Sequence, residues 1–600
     1  MIKREKINYY QIFKDFIKII LFVFVFVRPF VDGISYPWFN YLWNIIFLAF
    51  FLIFIIFSRF KIKFKTYEIY FFLFIILVSA LSIFQPLPIR TLPYLIGFMS
   101  LFCIMFLIGN SLKEKDFDTI RWILFISLFL ICIYGIYQHF WGLEETRKFV
   151  AEKPYLMNSF SPTFFARLQS NRVFANFVEP NTYAAYLLLI YPVIIFTIFD
   201  KNKLLKYCAV CLVPFLIYNL FLTGSIGGIF CLVVITFLML LYFLISKKTF
   251  IIASIVLAVV SLLFLAVGAK MHFLLHMRSF SDRIKYWQTG INIFKIYPLT
   301  GVGLNNFQLF YPTYKISEAM DVKYAHNIII ELLADTGIIG IAAFLLFSVI
   351  FIFFSIKTLL KSYNLFIVSL IFSIVAIFSN WLGEFNYANM AIAGMCFVFL
   401  GILSSTNNLS NVFLSSKLTK SILGVMIIGV IFAMIYQIRI WESETYINRI
   451  VSEKINPKNF FTDVKKAENL YPRAEISFIK GRILWNLFEI NKTKIFAIQA
   501  INAYKKASLQ NPYSVQYHRD LAFSYYQTGK VNEAEKEFKK VIDLYPTNPQ
   551  YYWEMGIFYK NIGMPKKAIP YIKKANQLPR ITLGEDKIIG IYQKEYGKNF

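Results

Sequence analysis

From Phe16 to about Tyr436 the chain returns again and again to apolar runs of about 20 residues, the length a helix needs to cross roughly 30 Å of hydrocarbon. Lipid offers a backbone amide no partner, so each run has to close its hydrogen bonds inside a helix. With hydrophobic residues at 58% and phenylalanine alone at 67 positions, a soluble fold is excluded. The expected fold class is an all-α polytopic membrane protein with about 12 or 13 transmembrane helices. The N-terminus, Met1-Ile2-Lys3-Arg4-Glu5-Lys6 before an apolar run, imitates a signal peptide. Arg28-Pro29 follows it with no small-residue cleavage site, so the run is read as an uncleaved first span.

A net charge of +28 would suggest nucleic acid in a soluble chain, but here the lysines and arginines are spread over short loops between spans. Basic loops at 58–65, 111–121, 200–206, 246–248, 357–361 and 415–420 alternate with loops poor in Lys and Arg. Assigning the basic loops to the cytoplasm closes without contradiction. It puts the N-terminus in the cytoplasm of a multi-pass protein of the inner (cytoplasmic) membrane, and everything after Tyr436 outside the cytoplasm. The long loops 142–181 and 270–326 fall on that same outer face. Cys103, Cys132, Cys208, Cys211, Cys231 and Cys396 all lie in apolar spans, so no disulfide framework is implied.

At Glu442 charge rises and the long apolar runs stop, which divides the chain into a membrane domain at 1–440 and a second domain at 441–600. A 34-residue period takes over there. Leu521, Ala522, Tyr525, Gly529, Ala534, Phe538 and Val541 are matched by Met555, Gly556, Tyr559, Gly563, Ala568, Ile572 and Ala575. One repeat upstream, Ala500, Tyr504, Ala507 and Pro512 fit the second helix of the same unit, and Ala467 with Pro472 fit an earlier, degenerate one. The pattern resembles the tetratricopeptide repeat over about 465–580, which implies stacked helix pairs and a surface for a protein or peptide partner.

Polar residues in a bilayer protein are spent where it binds or reacts, and here they gather in the two outer loops. In the first, Asn171-Arg172-Val173-Phe174-Ala175-Asn176-Phe177-Val178-Glu179-Pro180-Asn181 leads straight into a span. In the second, Arg283 and Trp287 are followed by Pro298, Gly301-Val302-Gly303, His326-Asn327, Glu331 and Gly337-Ile338-Ile339-Gly340. Together with the span count, this resembles the O-antigen ligase and polymerase superfamily over about residues 10–405, most specifically over 279–345. The resemblance implies a membrane glycosyltransferase that moves a glycan from a polyprenyl diphosphate carrier to an acceptor on the outer face of the membrane. The alternatives within it are a polysaccharide polymerase and a protein O-oligosaccharyltransferase, and the acceptor is a lipid A core, a glycan or a protein. A flippase for the same lipid-linked sugars is the alternative from a different class. It would need charges in the middle of the spans, where Arg28 is the rare example.

The resemblance makes Arg283 and His326 the functional pair, and elementary chemistry agrees. Guanidinium grips phosphate oxygens through paired donors and never loses its charge; imidazole is a base that is neutral near pH 7. Arg172, Glu179, Asn181, Trp287, Asn327 and Glu331 complete the expected substrate-binding set. An arginine in such a loop can equally pair with headgroups, and Trp287 can equally anchor at the interface. No metal and no other cofactor is expected. Asp116-Phe117-Asp118 looks like a metal-binding pair but lies in a short cytoplasmic loop, and His272 with His276 lacks a third ligand, so both are read as structural. One departure stands out. Where the family commonly has Ser-Arg after the span ending near Leu222, this chain reads Thr223-Gly224-Ser225-Ile226, so either the donor contact comes from Lys270, Arg278 or Arg172, or the donor is different or activity is lost.

Overall fold

A computed structural model describes residues 9–59, 62, 64–153, 167–270, 278–362, 364–406, 416–451 and 457–579. The membrane domain is built from α1 (Tyr9–Val27), α2 (Pro37–Phe57), α3 (Thr66–Ser82), α4 (Pro88–Ser111), α5 (Phe117–Tyr137), the short α6 (Leu143–Ala151), α7 (Pro180–Thr197), α8 (Lys203–Leu222), α9 (Ile226–Leu244) and α10 (Lys247–Lys270). It continues through two helices of the second long loop, α11 (Arg278–Ile296) and α12 (Phe307–Tyr314), to α13 (Ile328–Lys361), α14 (Leu365–Trp381), α15 (Met390–Ser405) and α16 (Ser416–Val451). Among the described residues eight helices are long and apolar enough to cross a membrane, and α3, α14 and α15 are shorter apolar helices. These eight are fewer than the 12 or 13 read from hydropathy; α1 and α10 are further helices of the domain.

Local chemistry explains where these helices begin. Proline sits in the first turn of α2, α4 and α7, where its missing N–H costs nothing. The side chains of Asn202, Ser225, Asn327, Asn364 and Asn389 accept from the free amides of α8, α9, α13, α14 and α15. The helices pack closely because small residues and phenylalanine alternate at their contacts. Gly401 of α15 lies against Ile108 of α4, and Phe71 and Phe397 approach to 4.6 Å between ring centroids.

The two ends of the bundle differ chemically. At the end bearing the basic loops, Lys18 pairs with Asp116 at 3.0 Å, and Arg121 pairs with both Asp118 and Asp200. Asp116 and Asp118 are thus held in ion pairs. Arg28 is not inside a span, as its apolar neighbours suggest. α1 ends at Val27, and Arg28 opens a short 3-10 turn at the opposite end, where it donates to Val31 O (3.1 Å) and Asn40 Oδ1 (2.5 Å).

The composition change at Glu442 falls inside α16, which runs unbroken to Val451. Beyond it come α17 (Pro457–Leu470), α18 (Ala474–Asn491), α19 (Lys494–Gln510), α20 (Val515–Gln527), α21 (Val531–Leu544), α22 (Pro549–Asn561) and α23 (Pro565–Gln577). The last six pair as α18/α19, α20/α21 and α22/α23. Gly529 and Gly563, 34 residues apart in sequence, hold the matching left-handed turns between paired helices at φ 79° and 78°. The repeats rest on the membrane domain: Tyr471 Oη donates to Ile89 O (2.7 Å), Arg90 pairs with Glu475 (2.9 Å), and Thr313 Oγ1 donates to Leu544 O (2.8 Å).

Candidate functional site

The 167–181 part of the first long loop is shaped by two side chains that belong to other elements. Gln138 Oε1 accepts from the amides of Phe174 (2.9 Å) and Ala175 (2.8 Å), and Asp32 Oδ2 accepts from Val178 N (2.8 Å) and Asn389 Nδ2 (3.2 Å). Val173 N reaches Leu222 O at 3.0 Å. Together these contacts lay Arg172 onto the turn between α8 and α9. Its Nε donates to Thr223 O at 2.7 Å and its side chain packs on Gly224, whose φ is 58°. This is the Thr223-Gly224-Ser225-Ile226 turn, where the resemblance implies an arginine and this chain has Ile226. Ser225 caps α9 and Ile226 is exposed. The side chains of Lys270 and Arg278, and His272 with His276, lie outside the described residues.

A second set of contacts fixes the other loop. Backbone strands of the chain cross where Gly301 and Gly337 meet Asp335 and Leu299 so closely that a Cβ on either glycine would collide with main chain. Val302 N bonds Ala334 O (3.0 Å), Gly303 N bonds Asp335 O (2.8 Å), and Ile338 N bonds Pro298 O (2.8 Å). Gly337, at φ 64°, also kinks α13. The start of α13 is thereby held, and His326 and Asn327 with it.

Three segments then converge on Glu384, a 3%-exposed carboxylate just after α14. Arg283 Nη2 donates to its Oε1 at 2.5 Å, and Arg283 Nε donates to Gly383 O at 2.7 Å. Asn181 joins the two arginines into one network: its Nδ2 donates to Glu384 Oε2 (3.0 Å) while its Oδ1 accepts from Arg172 Nη2 (2.6 Å). His326 Nδ1 stands 3.8 Å from Glu384 Oε2. That is an ion-pair distance for a protonated ring and too long for a hydrogen bond, and Nδ1 is buried without a hydrogen-bond partner. The imidazole is clamped between Tyr286 (5.7 Å) and Phe385 (4.9 Å), on a backbone at φ 54°. A left-handed conformation at a non-glycine residue is rare and clusters at functional sites.

The remaining expected residues divide. Asn327 caps α13 with Oδ1 and donates from Nδ2 to Leu382 O (3.0 Å), which ties the histidine segment to the glutamate segment. Glu331 points away from the arginines; it accepts from Ala325 N (2.5 Å) and Tyr387 Oη (2.9 Å), and so holds the backbone next to His326. Glu179 pairs with Arg167 at 3.7 Å. Trp287 packs edge-on against Phe280 at 6.1 Å, and its Nε1 makes no hydrogen bond to the polar network.

Electrostatics set the charges. Burial alone would raise Glu384, but His326, the Arg283 guanidinium and the Asn181 amide together hold its carboxyl below the ordinary value. Glu179 goes the other way: burial raises it, and Arg167 and His326 only partly offset that. Burial lowers Arg172, with Glu384 and Glu179 opposing, but a guanidinium stays charged at any working pH.

Reading the sequence missed Glu384, Asp32 and Gln138. For Glu384 a signal existed, since it is the single acidic residue between Asp335 and Glu442. A lone carboxylate beside an apolar span, in a chain whose long loops carry arginines in need of a counter-charge, was the clue.

Among known families, the model of the O-antigen ligase matches residues 208–345, a stretch that contains Arg283, His326 and the Thr223–Ser225 turn but neither Arg172, Asn181 nor Glu384. Models of the tetratricopeptide repeat match 515–548 and 549–581. No curated protein matches the chain. The solved structure of MamA is similar at 20% identity over 30% of this chain and 100% of that one, with a TM-score of 0.20. The chain carries an O-antigen ligase domain in a multi-pass helical membrane protein, followed by tetratricopeptide repeats.

Proposed function

We propose that the protein transfers a glycan from a polyprenyl diphosphate carrier to an acceptor hydroxyl, and that the end of the bundle bearing Glu384 faces away from the cytoplasm in the inner membrane. The observation that supports this best is the convergence of Arg172, Arg283 and His326, from three separate segments, on one buried carboxylate and one amide. In this reading the two arginines hold the diphosphate and stabilise the charge that develops on it as it leaves. Glu384 fixes Arg283 and faces His326 Nδ1, so a proton on Nδ1 leaves Nε2 as the base. The acceptor oxygen attacks the sugar's anomeric carbon as the bond from that carbon to the diphosphate oxygen breaks, with inversion. The hydroxyl proton passes to Nε2, and the carrier diphosphate departs with the bonding pair. Asn327 and Glu331 act as positioning residues for His326, and Asn181 and Glu179 border the donor.

Two guanidinium groups supply the positive charge that a divalent ion brings to other diphosphate sites, so transfer is proposed to survive a strong chelator. The repeats rest on the 307–321 part of the same loop. Their proposed partner is a protein that either accepts the glycan or delivers the acceptor to it. Proteoliposomes loaded with lipid-linked glycan test the reading. Product on an added acceptor supports it, whereas leaflet exchange of the donor without product would make the protein a transporter instead.

A further inference from the structure

A cavity of about 760 Å³ lies between the membrane domain and the beginning of the repeat domain, apart from the site above. None of Arg172, Arg283, His326 or Glu384 lines it. Tyr324, Trp381 and Tyr387 form the wall on that side, with Tyr324 stacked at 5.2 Å on the Phe385 ring that clamps His326. Its two ends have opposite character. The mouth, roofed by Arg473 and Glu475 of the repeat domain, carries Arg90, Lys323 and Asn305, while the interior is lined by Phe71, Phe74, Phe98, Phe344, Phe347 and Phe397.

Depth and charge narrow what fits. On α4 the lining residues Arg90, Pro93, Tyr94, Gly97 and Leu101 follow one helical face. At 1.5 Å per residue that face descends roughly 16 Å, about half of a ~30 Å hydrocarbon layer. The cavity is one leaflet deep. The carboxylates around it are already engaged: Glu475 with Arg90 (2.9 Å), Glu331 with Ala325 N and Tyr387, and Asp335 with the amides of Asn305 (2.7 Å) and Phe307 (3.1 Å). The donors are not. Arg90 Nε is buried without a hydrogen-bond partner, and Lys323 makes no ion pair among the described residues. Lys323 stays open at the mouth, yet the protein crowded around it and then the Arg90 charge lower its ammonium below the usual range. An unpaired ammonium, beside a guanidinium that keeps a free Nε, at one opening above an aromatic shaft matches a phosphate with a hydrocarbon chain.

We infer that this cavity binds one phosphate-headed chain lipid, with Arg90 and Lys323 on the phosphate and the chain in the aromatic shaft between α3, α4, α13 and α15. The roof makes the site a joint product of the membrane and repeat domains. It does not depend on the transfer reaction proposed above.

The test reads binding directly. Full-length protein in phosphatidylcholine nanodiscs is irradiated with chain-labelled photoactivatable phosphatidic acid, polyprenyl phosphate or diacylglycerol, and cross-linked residues are mapped by mass spectrometry. Both phosphate probes should label residues 71–74, 98–101 and 344–347, with diacylglycerol at least about ten-fold weaker, the scale of a lost charge-assisted hydrogen bond. Competition between the two phosphate probes tells whether the resident chain is acyl or isoprenoid. Gly97→Leu fills the shaft where a Cβ would meet only Met390 Sδ and Cε, at 4.0 Å, and should reduce labelling to background while improving helix propensity. Lys323→Gln, which breaks no ion pair, should weaken labelling about ten-fold and carries the test if Gly97→Leu fails to fold. Equal labelling by diacylglycerol, or undiminished labelling in folded Gly97→Leu or Lys323→Gln protein, overturns the inference.

Discussion

Arg283 and Glu384 meet at 2.5 Å across 101 residues of chain, the carboxylate almost fully buried and the guanidinium side chain 21% exposed. Leaving one member of a buried pair without its counter-charge costs about 3 kcal/mol or more. Glu384→Gln keeps the shape and removes the charge. It should lower the melting temperature of the purified protein and slow transfer by about 100-fold, the effect of an ångström of misplacement. Wild-type turnover in a folded Glu384→Gln protein would separate this pair from the chemistry.

His326→Ala removes the proposed base without touching the diphosphate contacts. Transfer should slow by about 100- to 10,000-fold, the range of a lost general base, while carrier binding stays near the wild-type level. If binding falls in step with turnover, the ring is packing between Tyr286 and Phe385 and nothing more.

The pH behaviour of the two carboxylates should differ in sign. Glu384 is held below its ordinary value, so its contribution to stability is present above the unfolded value of about 4.3 and is lost as pH falls through the lower folded value. Glu179 is raised, so its charged form is penalised in the fold and acid relieves that penalty as pH falls through the raised value. The stability difference between wild type and Glu384→Gln should therefore persist from pH 7 down to about 4.3 and vanish only below it. A difference that disappears near pH 6 would contradict the depressed carboxylate.

Arg172 sits on the turn that carries Ile226, at the position where the resemblance implies an arginine. Arg172→Lys, which keeps the charge but loses the two-pronged donor, should raise the donor KM about ten-fold. Adding Ile226→Arg to that variant should recover part of the loss. No recovery, with the double variant folded, would mean that the two positions do not serve the same oxygen atoms.

Topology is open to a direct measurement. A reporter active only in the cytoplasm, fused at Phe600, should stay silent in cells. Strong activity would put the repeats, and the Glu384 end of the bundle with them, on the cytoplasmic side.

The apolar helices and the register of the repeats were legible in the sequence because each rests on a run or a periodicity within a few residues of itself. Arg28 was misplaced for the same local reason: Pro29-Phe30-Val31 extends the apolar run past the point where α1 ends, and hydropathy does not see a helix end. Arg283, His326, Arg172 and Asn181 were recognisable as residue types suited to a diphosphate and an acceptor proton. Their common partner was not. Glu384 acquires its role only when Arg283, His326 and Asn181 fold onto it from distant segments, and Gln138 and Asp32 grip amides 36 and 146 residues away from them along the chain. Backbone hydrogen bonding in lipid is satisfied locally and can be read along the chain, whereas pairing of buried charges is satisfied across it, and only the tertiary structure decides which charges meet.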